Sequence, residues 1–139
     1  MHKLQAWAAA LAVALGSAGA QAQTPSAVVT NTEVRAELVA QAPEGIGAGK
    51  KVWLGLQIDH QPHWHTYWKN PGDSGLPTTL QWTLPAGVQA GEIAWPTPTR
   101  LPIGPLVNYG YEQRVLLPVP ITVAPSCQGS ALDVKLTAN

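Results

Sequence analysis

Phenylalanine is absent from this chain, and methionine and cysteine occur once each. Without Phe, the aromatic part of any core falls to Trp and Tyr, whose rings carry a polar atom that wants a partner when buried. Charge is scarce as well: eight Lys and Arg stand against eight Asp and Glu, together 12% of residues. No basic run or face exists to neutralise phosphates, which excludes nucleic acid and anionic lipid as partners. No stretch carries three turns of amphipathic helix. Past Leu15, no apolar run is long enough to span a bilayer.

The N-terminus reads differently. His2 and Lys3 precede an apolar run from Ala6 to Leu15, and small residues follow at Ala18-Gly19-Ala20 and Ala20-Gln21-Ala22. That order is a secretory leader, too short for a stable anchor. The expectation is a signal peptide over 1–22 and export to the periplasm of a bacterial cell. About 117 residues then remain, enough for one domain with a modest core. Loss of Lys3 brings the net charge near −1. Cys127 is alone, and an odd cysteine in an oxidising compartment means a reactive thiol, an intermolecular bond or a partner missing from the chain. Its loop, Pro125-Ser126-Cys127-Gln128-Gly129, places no Lys, Arg or His beside the thiol to lower its pKa.

What is abundant is punctuation, with thirteen prolines and thirteen glycines. Residues 23–32 read as a flexible lead-in. Between turns, apolar residues recur at every second position, the period of half-buried strands. Val34, Ala36, Leu38 and Ala40 share one face, and Val52, Leu54, Leu56 and Ile58 another. Leu80, Trp82 and Leu84 alternate in the same way, as do Leu132, Val134 and Leu136. A short strand is expected over Glu92–Trp95. Pro96, Pro98, Pro102 and Pro105 then confine their segment to an extended crossing or a covered edge, because proline donates no ladder hydrogen bond. For the same reason Pro118 and Pro120 predict an edge strand, or a bend between sheets, within Val115–Val123. Short strands separated by turns read as an all-β, immunoglobulin-like β-sandwich over 33–139. With no turn closing its final strand, that sandwich is expected to be incomplete at the C-terminus.

The chemistry-bearing residues gather in His63–Pro77, where aromatics run into an Asn-Pro-Gly-Asp corner. On an extended chain Trp64, Thr66 and Trp68 share one face, and His63, His65 and Tyr67 the other. His60, His63 and His65 are candidate copper or zinc ligands, although no Cys or Met stands near as a fourth. Hydrogen-bonding support of the aromatic corner competes with that role. Gly72-Asp73-Ser74-Gly75 copies the nucleophile motif of chymotrypsin-like proteases, but the chain is too short for two barrels and the turn itself accounts for the glycines. Trp64, Trp68 and Trp82 are expected in the core. Tyr109 and Tyr111 are expected at the surface.

Trp64 to Pro77, continued through Trp82, Leu84 to Val88, Trp95 to Pro98 and Gly104 to Glu112, resembles the periplasmic N-terminal region of DsbD-like membrane thiol:disulfide interchange proteins. Its nearest branch is the ScsB-like one, linked to copper tolerance. The resemblance covers about Val34 to Ala138. It implies an immunoglobulin-like domain relaying reducing equivalents from a membrane redox domain of the same protein to periplasmic thiol–disulfide proteins, with no cofactor. In the family the working cysteine pair follows a Trp-Leu-Val-Cys-like stretch, which would begin past Asn139. Cys127 matches no catalytic position there, so no catalytic residue carries over. The chain is expected to be a fragment of a protein-disulfide reductase, inactive alone. Within it Trp64, Tyr67, Trp68, Asn70, Asp73, Tyr109 and Tyr111 shape the domain or face its partners. The competing reading is a periplasmic copper-binding module built on His60, His63 and His65.

Overall fold

The computed structural model describes residues 13–14, 28–127 and 132–139. Most of the expected leader, and residues 23–27 of the lead-in, lie outside the described residues. The strands in chain order are β1 (Val13–Ala14), β2 (Val28–Thr30), β3 (Val34–Gln41), β4 (Val52–His60), β5 (Thr66–Gly72), β6 (Leu80–Thr83), β7 (Val88–Ala90), β8 (Thr99–Ile103), β9 (Leu106–Tyr111), β10 (Arg114–Val123) and β11 (Asp133–Ala138). They form three sheets, ordered β2-β3-β4-β10-β7, β1-β11-β6 and β5-β9-β8. The architecture is an all-β immunoglobulin-like sandwich. No helix among the described residues is long and apolar enough to cross a membrane.

Alternation builds the core. In the five-stranded sheet Leu38, Leu54, Leu56, Leu117 and Val119 are buried on one face. They pack in one cluster with Val134 and Leu136 of β11 and with Leu80, Trp82 and Leu84 around β6. Each buried Leu or Val adds about 1.5–3 kcal/mol of burial, so the face-to-face contact of these two sheets carries most of the fold. The opposite face of the large sheet is polar at one end, where Arg35, Asp59 and Arg114 stand side by side across β3, β4 and β10. Asp59 pairs with Arg114 at 2.5 Å and with Arg35 at 3.5 Å.

Three expectations change. Val28–Thr30, expected in the lead-in, pairs with β3 as an edge strand. Asn31 turns the chain between them, its Oδ1 accepting from the amides of Glu33 and Val34. The segment over Val115–Val123 is neither an edge nor a bend: β10 lies between β4 and β7. Its prolines are admitted because both aim away from β4. The carbonyls of Pro118 and Pro120 accept from Ala94 and Gly91, so the missing amide hydrogens fall on that same side. The strand expected over Glu92–Trp95 fails to form for the same reason. Opposite two prolines, the backbone past Ala90 can donate but finds nothing to accept from, and pairing ends with β7. The proline-rich piece behaves as expected, since Pro102 sits in β8 at the edge of its sheet.

Candidate functional site

The third sheet is built on the corner where β4 hands over to β5 and β9 returns to β10. Tyr67 of β5 lies opposite Gly110 of β9, and the register then shifts before Gly72 meets Asn108. Asn70 and Pro71, expected as a corner, lie inside this irregular part of β5, and the turn follows Gly72. Glycine is required at Gly110: a Cβ there would come within 2.0 Å of the Thr66 carbonyl oxygen. It is required again at Gly75, at φ +87°, where a Cβ would fall 2.3 Å from the Tyr67 ring. The aromatic ring is thus laid on bare backbone.

Past Gly72 two side chains bind β9. The Val107 amide donates to Asp73 Oδ2 at 2.7 Å, and the Asp73 amide donates to the Val107 carbonyl at 3.0 Å. Ser74 donates from its amide to Asn108 Oδ1 at 2.9 Å, and Asn108 Nδ2 donates to Ser74 Oγ at 2.9 Å. Asn108 is 0% exposed, the one fully buried polar side chain among the described residues. The protease-like motif is therefore a clasp. Its hydroxyl is held by an amide side chain, and no histidine is bonded to it.

His60 holds the other end. Its Nδ1 lies 2.8 Å from the Gln113 carbonyl, which can only accept, so Nδ1 carries the proton. The neutral ring then accepts at Nε2 from the Thr66 hydroxyl, 3.0 Å away. Burial pushes the His60 pKa below its ordinary value, while the bond to Gln113 opposes the shift. His65 Nε2 lies 3.1 Å from the Tyr67 hydroxyl, its ring edge-on to the tyrosine at 5.0 Å. His63 has left-handed backbone at φ 72° in the turn before β5. The three histidines are thus not gathered as a ligand set, and no group of three His, Cys, Asp or Glu able to hold a metal occurs among the described residues.

The aromatics divide differently from the sequence expectation. Trp68 and Trp82 pack against the core, as expected. Trp64 does not: it precedes β5 and is 46% exposed. Tyr111, expected at the surface, is buried as part of the hydrophobic core cluster. Its hydroxyl donates to the Pro96 carbonyl at 2.8 Å, and burial raises its pKa to about 12. Tyr109 is exposed as expected. Lys69 Nζ lies 5.6 Å from the centre of the Trp68 ring.

Cys127 is half-buried at the far end of the large sheet, its amide bonded to the Ala124 carbonyl beyond β10. The length of β10 separates it from the His60 corner, roughly 30 Å at 3.3 Å per residue. Sequence reasoning missed Asn108 and the bracing role of His60. A polar residue at an inward position of the Leu106–Tyr111 strand was the available signal for the first.

Residues 22–139 match the family model described as thiol:disulfide interchange protein DsbD, N-terminal. No curated protein sequence matches the chain. Among solved structures, the N-terminal periplasmic domain of ScsB from Proteus mirabilis is similar, with TM-score 0.57 and 23% sequence identity. That match covers 80% of this chain and 42% of the ScsB domain. The chain thus spans about half the length of that domain.

Proposed function

Because this chain belongs to the family of DsbD N-terminal domains, we propose that it serves in the periplasm as the scaffold of a thiol:disulfide interchange protein. In this reading, reducing equivalents arrive from a membrane domain of the same protein and pass to periplasmic thiol–disulfide partners. The family match over residues 22–139 carries the proposal. Exchange needs an attacking thiolate and a second thiol that resolves the mixed disulfide. Cys127 is the chain's single thiol, so the working pair is supplied by sequence outside these residues. The contribution of this chain is shape. The corner held by His60, Asp73, Ser74 and Asn108 fixes the β8–β9 hairpin, and Trp64 and Tyr109 give it exposed aromatic surface.

The test uses the full-length protein. Mixed disulfides with periplasmic proteins are trapped by alkylation, in the parent and in a form lacking residues 33–139. The reading expects Cys127→Ser to leave trapping unchanged and the deletion to abolish it. Undiminished trapping without residues 33–139, or its loss in Cys127→Ser alone, overturns it.

A further inference from the structure

Two turns meet at the corner beside β5. In the first, between β4 and β5, the Trp64 amide donates to the Gln61 carbonyl at 3.0 Å, with Pro62 second and His63 third at φ 72°. That is the type II pattern, whose third position asks for glycine. In the second, between β9 and β10, Gln113 stands at φ 57°. Among the described residues these two are the non-glycine residues with positive φ. His60 ties the turns together: its amide and its Nδ1 both donate to the Gln113 carbonyl, at 2.7 and 2.8 Å. Both turns line one open cleft of about 380 Å³.

Long polar side chains thus stand at the two positions where glycine would be free of strain, and both line the same cleft. Left-handed backbone in a non-glycine residue is costly, and such residues gather at ligand clamps. The lining names the ligand. Trp64, 46% exposed, offers an apolar ring face. Gln61 and Gln113 each carry donors and an acceptor, neutral His63 carries one of each, and Glu112 only accepts. All five are exposed, whereas both ring nitrogens of His60 are already engaged. Among the described residues no Lys or Arg lines the cleft, which disfavours phosphate and carboxylate groups. An ammonium group suits Trp64 and Glu112 but gives the two amides nothing to donate to. A sugar ring meets every group, since its C–H face lies flat on an indole and its hydroxyls both donate and accept. The volume falls in the range of small-molecule pockets.

We propose that this cleft is a saccharide-binding site for a pyranose unit, with Trp64 stacked on the ring and Gln61, His63, Glu112 and Gln113 taking its hydroxyls. The strained backbone at His63 and Gln113 keeps their side chains at the site and lowers the stability of the fold. The site uses no thiol, so it stands or falls separately from the redox reading.

Calorimetric titration of the full 139-residue chain tests it. The probes are a β-1,4-linked N-acetylglucosamine tetrasaccharide, maltotetraose, glucose and a lysine-rich peptide. Saturable binding of a saccharide is expected, and none of the peptide. Tighter binding of a tetrasaccharide than of glucose supports a glycan chain as the source, and equal binding supports a free sugar. Trp64→Ala is expected to weaken binding about tenfold, the loss of one stacked ring. His63→Gly and Gln113→Gly are each expected to weaken it about threefold, the loss of one hydrogen bond, while raising the thermal unfolding midpoint. A merely structural role for these side chains would lower that midpoint. Absence of saccharide binding, binding of the peptide in its place, or undiminished binding in Trp64→Ala overturns the site. Glycine variants that bind as the parent does, or that unfold at lower temperature, overturn the use of strain to hold it.

Discussion

Asn108 and Ser74 satisfy each other: the amide side chain accepts from the Ser74 backbone at 2.9 Å and donates to its hydroxyl at 2.9 Å. The pair joins the turn after β5 to the middle of β9, with Asn108 fully buried and Ser74 half-buried. Removing one member leaves the other's polar atoms buried without a partner, which costs about 1–3 kcal/mol per group. Asn108→Ala is expected to lower stability by about that amount, plus a smaller loss from the cavity. Ser74→Ala, which keeps the backbone donor, is expected to cost less. Urea unfolding of the two variants measures the difference, and equal midpoints would remove the clasp from the account.

Two glycines of the β8–β9 hairpin separate strain from collision. Gly104 has φ +57° and open space where a Cβ would stand. Gly104→Ala is therefore expected to cost only the left-handed penalty, about 1 kcal/mol. Gly110→Ala drives a Cβ into the Thr66 carbonyl and must part β5 from β9. Its expected cost is larger, about 3 kcal/mol or more, as for overpacking in a close-packed interior. Thermal unfolding ranks the two, and the opposite ranking would refute the close approach of β5 to β9.

His60 gives the corner a pH dependence with a definite sign. Its folded pKa lies below the ordinary value of 6.5 because burial disfavours the imidazolium. Between the folded pKa and 6.5 the unfolded chain binds more protons, so stability declines as pH falls through that window. Above 6.5 the contribution is present in full. Unfolding midpoints between pH 7.5 and 5 should fall more steeply in the parent than in His60→Gln. Parallel curves would show that burial of this ring is not linked to folding.

Tyr111 tests the attachment of the irregular segment between β7 and β8. Tyr111→Phe keeps the ring in the core but leaves the Pro96 carbonyl without its donor. A loss of about 1 kcal/mol is expected, the usual net worth of such a bond. Amide exchange at Thr97 and Thr99 should quicken while that of β4 does not. No change at either threonine would mean the bond does not tether the segment.

Much of the large sheet was legible because one face of β3 and of β4 is buried and the other is wet, which writes a period of two into the residues. The same period marked β6 and β11. What misled was proline counted without direction. Pro118 and Pro120 argue for an edge only if their nitrogens face a partner, and here they face Gly91 and Ala94, which need acceptors alone. Burial of the aromatics was illegible for a related reason. Tyr109 and Tyr111 stand two residues apart on β9, yet only Tyr111 joins the core cluster, and the distant packing that decides this leaves no mark on the local sequence. At the corner, the glycines of residues 72–75 were read correctly as a turn. The bonds that Asp73 and Ser74 send to β9 span thirty-four positions and leave no local trace.

The two prolines of β10 also bear on how the sandwich avoids assembling wrongly. Because both nitrogens point the same way, a slip of one residue against β4 would swing them into the ladder and delete two bonds at once. Pairing β10 to a wrong neighbour through its far edge would meet the same gap. The strand can thus zip along its length on one side only, and in one phase, which makes Pro118 and Pro120 a built-in check on assembly.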